Sequence, residues 1–341
     1  MTVHFSFLPL SFFLATMLVL TGCDKSEHRP VQEQKQSHQE ISDVVDLTQL
    51  CKNIHKEMND INAQRTTLAL EQINQDLKVC LPLVQPDEQL ALLKLSTQMY
   101  RNFLTVERTP QQAKAFHQYA FDMAQHPTIQ QSHFEQFTLR DQYLLKHQGQ
   151  AYIELFDAGA DSLIYRRSPQ YLAIIFAPYM PEAEKIFIEH LAQQNMQQTL
   201  RDGALIISAQ EVTERALFWE GYVRDYPKSR YIQDAQYLQK IYAIFLFKGT
   251  PKTSVSESYR DKSSVTPDNL AEIEALTQLK NSALADQARK FMQFVQMSDA
   301  DRRQLPAAAN PSVQLTQYLQ LNTEVLKDKR DCFSDAVCLP S

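Results

Sequence analysis

The sequence predicts an all-α protein of stacked antiparallel helix pairs. Three observations carry that expectation. Apolar residues recur at spacings of three and four along most of the chain, the period of a helix with one buried face. Glycine is scarce, 6 in 341 residues, which disfavours turn-rich all-β architectures. Proline, serine and threonine cluster at the edges of the periodic segments, where helices start and stop.

The chain opens on a different pattern. Residues 5–20, FSFLPLSFFLATMLVL, are apolar, and no charged residue precedes Cys23. Those sixteen residues are short for a bilayer span of about 20. They suit the core of a signal peptide, which ends at small residues. Here the end is Leu20-Thr21-Gly22-Cys23. This tetrapeptide resembles the bacterial lipobox. The resemblance implies a lipoprotein: residues 1–22 are removed, a diacylglycerol joins the Cys23 sulfur, and the new amino group is acylated. Several acyl chains, at about 0.8 kcal/mol per buried CH₂, make a lasting anchor. The match covers the first 23 residues, and it departs from the pattern in carrying His4 but no Lys or Arg before the apolar core. Asp24 resembles the signal that retains such proteins in the inner membrane of enteric bacteria. The expected location is therefore the periplasmic face of a membrane, inner before outer.

Residues 23–41 read as the anchor and a flexible tether. From Asp24 onward they are polar and nearly free of large apolar side chains, so they cannot bury a core. The full sequence is 44% apolar with a formal charge of −6. That mild acidity argues against a nucleic-acid partner, which selects a basic face. No G-x-G-x-x-G or Walker-type loop is present, and no H-E-x-x-H, so neither a nucleotide cofactor nor a zinc site is expected.

Four cysteines remain after Cys23: Cys51, Cys80, Cys332 and Cys338. An even number in an exported chain reads as two disulfides, with three possible pairings. Spacing favours Cys51–Cys80 and Cys332–Cys338. Val44, Leu47, Cys51, Ile54 and Met58 form one helical stripe; Leu70, Ile73, Leu77 and Cys80 form another. A hairpin turning at 59–66 brings the two thiols level on facing sides. The second pair would close CFSDAVC and pin the tail, 331–341.

Residues 42–150 read as an N-terminal helical half. A helix is expected over about 86–105. Thr109-Pro110-Gln111-Gln112 supplies an N-cap, a first-turn proline and an N3 glutamine for the next. After Pro127 one further helix is expected to about His147. Residues 151–180 read as a junction. There Tyr152–Phe156 and Leu163–Tyr165 flank Asp157-Ala158-Gly159-Ala160, as a short hairpin or a helix broken at Gly159.

Residues 181–330 read as a C-terminal helical half. A helix is expected through EAEKIFIEHLAQQNMQQTL. In 208–249, Ser208 and Glu211 form a capping box, and Val212, Ala216, Trp219 and Val223 make an inner face. Tyr226-Pro227 ends that helix, and Ser229 caps the next. Its stripe is Tyr231, Ala235, Leu238, Tyr242 and Phe245, closed by Gly249 and Pro251. The linker Asp225-Tyr226-Pro227-Lys228-Ser229-Arg230-Tyr231 resembles the turn of tetratricopeptide-like repeats in bacterial envelope lipoproteins. The match covers one unit of about 42 residues, with no second copy at a period of 34. It implies a stacked helix pair with a concave binding surface. After a loop over 253–266, helices are expected near 267–280, 282–297 and 312–328.

Few side chains suggest chemistry. Glu211, Glu214 and Glu220 lie near Arg215 and Trp219 and suit acid–base work at a sugar bond. They are better accounted for as a cap (Glu211) and a solvated face (Glu214 and Glu220), so no catalytic residue is expected. The pair Arg166-Arg167 suits a lipid headgroup or an anionic glycan. Tyr237 departs from the stripe of its helix and is the aromatic best placed to meet a partner. The expected function is a membrane-anchored, non-enzymatic periplasmic lipoprotein that binds a protein or assists envelope assembly. The alternatives are a peptidoglycan-acting enzyme or accessory, and a carrier of lipid or another ligand.

Overall fold

The computed structural model describes residues 47–125, 131–157, 163–201, 203–306 and 310–327. The signal segment, Cys23, the tether, Cys332 and Cys338 lie outside these residues. The all-α reading holds, with two short antiparallel hairpins inserted.

The first pair is α1 (Leu47–Asn59) and α2 (Thr67–Cys80). Their apolar stripes meet, burying Ile54 and Met58 against Leu70, Ile73 and Leu77. Cys51 and Cys80 are joined in a disulfide with Cα atoms 5.4 Å apart, the pairing the stripes predict. Helix α3 (Pro86–Leu104) packs across α1. Helix α4 (Pro110–Gln125) opens on a reciprocal box: Gln112 N–H donates to Thr109 Oγ1 at 3.3 Å, and Thr109 N–H to Gln112 Oε1 at 3.0 Å.

The single helix expected before His147 is two, α5 (Gln131–Phe134) and α6 (Leu139–Lys146). Phe137 turns inward to the core, and Thr138 begins the second helix by accepting the Asp141 N–H at 2.9 Å. The junction is a hairpin: β1 (Ile153–Asp157) pairs with β2 (Leu163–Arg167), Leu155 opposite Tyr165. A left-handed turn leads into it at Gly149, Ala151 and Tyr152. Tyr100 Oη braces that turn by donating to the Ala151 carbonyl at 2.7 Å.

Helix α7 (Gln170–Ile175) packs on α2 and on α8 (Glu182–Met196). The second hairpin, β3 (Leu200–Arg201) with β4 (Ala204–Leu205), replaces the last turn expected of α8. Gly203, just before β4, has φ +73°, a conformation glycine adopts without steric cost.

The closest-packed pair is α9 (Ala209–Asp225) and α10 (Ile232–Phe247). Trp219 and Tyr222 are buried against Phe187 of α8, and Tyr242 of α10 is buried with its Oη 2.9 Å from Thr199 Oγ1. Ser229 does not cap α10, which starts three residues later at Ile232. Its hydroxyl lies 2.7 Å from Tyr222 Oη, and it accepts the Tyr231 N–H at 3.1 Å. Gly249 (φ +70°) ends α10; a Cβ there would fall 2.0 Å from the Thr253 carbonyl oxygen. Then come α11 (Pro267–Leu276), α12 (Ala283–Val295), α13 (Asp299–Arg302) and α14 (Pro311–Tyr318). The described residues cluster as one unit, and their buried apolar side chains form one continuous core from Ile54 to Val325. None of the described helices is long and apolar enough to cross a membrane.

Candidate functional site

A cleft of about 730 Å³ opens where three segments meet: the α1–α2 turn, the end of α3 and the start of α6. Helix α3 stops at Leu104 because Thr105 takes an extended backbone (ψ 128°), its hydroxyl donating to the Arg101 carbonyl at 2.9 Å. The next helix cannot begin before the Thr109-Pro110 cap. Residues 105–108, Thr-Val-Glu-Arg, bridge the gap, exposing Thr105 and Glu107 and half-burying Val106 and Arg108. Arg108 is tied down by Asp141, with Nη2 to Oδ1 at 2.6 Å and Nε to Oδ2 at 3.0 Å, and its guanidinium sits 3.8 Å from the Phe116 centroid. Asp141 is fully buried and also accepts from the Thr138 hydroxyl at 2.9 Å and from Tyr165 Oη at 3.2 Å.

Arg140 fixes the opposing wall. Its Nη1 donates to the Arg65 carbonyl at 3.0 Å and its Nη2 to the Phe103 carbonyl at 2.5 Å. It thereby clamps the α1–α2 turn to the end of α3, capping an orphan helix carbonyl. The guanidinium lies 4.3 Å from the Phe103 centroid and 5.1 Å from that of Tyr143. Burial pulls its pKa down, and the nearby tyrosines oppose the shift. Tyr143 in turn accepts the Thr67 N–H at 2.7 Å. Leu139, at the rim, is 83% exposed, the most exposed large apolar side chain among the described residues.

A second groove, about 250 Å³, lies between α8 and α9 and is lined by His190, Gln193, Glu211, Glu214, Arg215 and Phe218, among others. His190 stacks on Phe218 with centroids 3.6 Å apart, and burial lowers its pKa. Glu211 is not free for acid–base work: it is paired with Arg215 at 2.6 Å, which replaces the return half of the expected capping box. Glu214 accepts from Gln210 at 2.8 Å. Glu220 does not face solvent. It crosses to α12, accepting from the Ser282 hydroxyl at 2.6 Å and the Leu284 N–H at 2.9 Å. The three acids therefore do three separate structural tasks.

The arginine pair is a correction. Arg166 and Arg167 are 1% and 5% exposed, so neither meets a headgroup or a glycan. Arg166 pairs with Glu154 at 2.5 Å, donates to Asn195 Oδ1 at 2.6 Å, and lies 3.5 Å from the Phe156 centroid. Arg167 donates to Ser96 Oγ at 2.8 Å and Thr97 Oγ1 at 3.3 Å, and its guanidinium lies 4.8 Å from the Tyr171 centroid. Burial lowers the pKa of both. Tyr237 is half-buried, with part of its side chain packed against the core.

Sequence reasoning missed the larger cleft. Its local signals were present: a five-residue link, 105–109, without turn residues, and Leu139 directly after the Thr138 cap, off any buried stripe. No group of three or more His, Cys, Asp or Glu able to hold a metal occurs among the described residues. Comparison with protein-family models, with curated proteins and with solved structures finds no match.

Proposed function

We propose that this chain is a lipid-anchored protein of the periplasmic face of a bacterial membrane that binds a partner protein in envelope assembly. The observation that carries the binding role is the 730 Å³ cleft, whose lining mixes amides, threonine hydroxyls, Glu107, Arg140, Tyr143 and the exposed Leu139. Such a mixture suits a protein surface. The acids first considered for acid–base work, Glu211, Glu214 and Glu220, lie outside this cleft, and each accepts a structural bond.

In this reading Leu20–Cys23 directs lipidation of Cys23. Residues 24–41 then act as a tether reaching on the order of 25 Å from the bilayer, inner membrane before outer. Cys332–Cys338 forms the second disulfide. The α9–α10 pair, joined by Tyr226-Pro227-Lys228-Ser229, is the tetratricopeptide-like unit.

Two experiments test the proposal. Wild-type protein should incorporate labelled palmitate in cells, and Cys23→Ala should not; a wild type without label would refute the anchor. A photo-crosslinking amino acid at position 139, in cells, should trap a defined protein, whereas the same group at Leu326, 54% exposed, should not. Equal or absent crosslinking at the two positions would refute the cleft as the binding site.

A further inference from the structure

The first helix is held to the fold unevenly. Helix α1 buries two of its 13 residues, Ile54 and Met58, both in its second half. His55, which pairs with Glu88 of α3, also lies past the midpoint. In the first half, Leu47 is 44% exposed, and Leu50 and Cys51 are half-buried against the core. The covalent tie of that half to the body is the Cys51–Cys80 bond. Helix α2 is different. It buries seven residues, Leu70, Ile73 and Leu77 among them, and packs on α7 as well as on α1. A helix shorter than about 12–15 residues is marginal in water by itself, so α1 depends on what holds it, whereas α2 belongs to the core.

We propose that the Cys51–Cys80 disulfide is a redox latch on α1, opened by a dithiol donor. The two sulfurs differ in access: Cys80 has no exposed surface, whereas Cys51 is half-buried. An incoming thiolate attacks the Cys51 sulfur, forming a mixed disulfide and breaking the bond to Cys80. Cys80 leaves as a thiolate and takes up a proton. The fold keeps it beside Cys51, with the Cα atoms 5.4 Å apart, so its effective concentration is high. A mixed disulfide with a monothiol therefore reverts. A dithiol donor closes that route, because its second thiol attacks the donor sulfur bonded to Cys51 and releases Cys51. Two electrons pass to the protein, the donor becomes a disulfide, and its two protons end on Cys51 and Cys80. Helix α1 then keeps only its second-half contacts and detaches, uncovering the Leu70, Ile73 and Leu77 stripe while α2 and the core stay packed. The latch is independent of both the cleft and the lipid anchor. Where Cys23 is anchored, opening adds residues 47–66 to the tether.

The test is hydrogen exchange read by mass spectrometry on the full mature protein, with and without dithiothreitol. Parallel samples are trapped with iodoacetamide and mapped for alkylated cysteines. A Cys332→Ser/Cys338→Ser variant treated the same way assigns the effect to Cys51 and Cys80. Dithiothreitol should expose both to alkylation, and reduced glutathione at equal thiol concentration should not. Exchange over residues 47–59 should rise at least tenfold on reduction, while α9 and α10 stay within twofold of the oxidised protein. Removing the reductant in air should restore the protection of α1. Cys51→Ser/Cys80→Ser should show the open pattern without reductant, and reduction of the wild type decides the matter even where that variant folds poorly. The proposal is overturned by a bond that dithiothreitol leaves closed in the folded protein, by an α1 that stays protected after reduction, or by equal opening with glutathione. Loss of protection in α1, α9 and α10 together would also overturn it, since the disulfide would then staple the whole fold.

Discussion

At the scale of single residues, buried charge is the sharpest feature. Asp141 has no exposed surface and takes four side-chain donor contacts, two of them from Arg108. Removing one partner of a buried pair leaves the other uncompensated, a loss of about 3–5 kcal/mol. Asp141→Ala should lose that much in denaturant unfolding. Arg167 has no carboxylate partner in its contacts; hydroxyls and tyrosine faces surround it. Arg167→Met, near in volume, should cost under about 1.5 kcal/mol, because Ser96 Oγ keeps its bond to the Leu93 carbonyl. Equal losses in the two variants would contradict this account. His190 makes a pH-dependent contribution. Burial against Phe218 lowers its pKa, so the unfolded chain binds the proton more tightly. The His190 contribution is full above about pH 6.5, the ordinary imidazole value, and is lost as pH falls toward the folded value. Comparing midpoints at pH 7.5 and 5.5 should show a drop that His190→Gln reduces.

At the scale of elements, local rules placed most helices and long-range contacts placed their ends. The α1–α2 hairpin and its disulfide were legible because both stripes and both cysteines obey one short-range period. The Thr109 box was legible for the same reason. Helix α5–α6 was not, since Phe137 leaves the helical path to reach a core assembled from distant residues. Ser229 was misread because its bonds run to Tyr222 and Glu184, which no local pattern reveals. Arg166 and Arg167 looked like surface charges because their partners, Asn195, Ser96 and Thr97, are remote in sequence. The cleft was invisible as a unit because its walls come from three segments. Glu220 illustrates the same point with a measurable consequence. It reaches from α9 to the first turn of α12, where it takes an N–H that would otherwise be orphaned. Glu220→Ala should cost about 1 kcal/mol, the usual worth of a cap. Hydrogen exchange should rise first at Leu284, whose N–H it accepts; uniform loss of protection across α9 instead would mean that Glu220 acts on its own helix.

At the scale of the whole molecule, the sequence suggested two halves and the packing joins them. The joint is residues 150–180. Tyr171 of α7 is fully buried, with ring centroids 4.9 Å from Tyr100 of α3 and 5.8 Å from Phe176. Arg167 of β2 donates back to α3. Helix α7 then packs on α8, and α8 carries Phe187 into the aromatic cluster of Trp219 and Tyr231. One core without a seam should unfold as one unit, even though chains this long often populate intermediates. The single tryptophan makes that testable. Trp219 lies in α9, far along the chain from Asp141, and shares no contact with it. In a single cooperative unit, Asp141→Ala should move the Trp219 fluorescence transition by the same amount as the far-UV circular dichroism transition. In two independent halves, Trp219 would keep its wild-type midpoint while the helical signal lost its first portion early. Tyr171→Ala adds the complementary case. Loss of a buried aromatic costs about 3–5 kcal/mol, and this one sits on the joint. The two probes should then separate in that variant alone, because the coupling between the halves has been cut rather than one half weakened. Coincident transitions in Tyr171→Ala would place the joint elsewhere, in the direct packing of α2 and α3 on the hairpin.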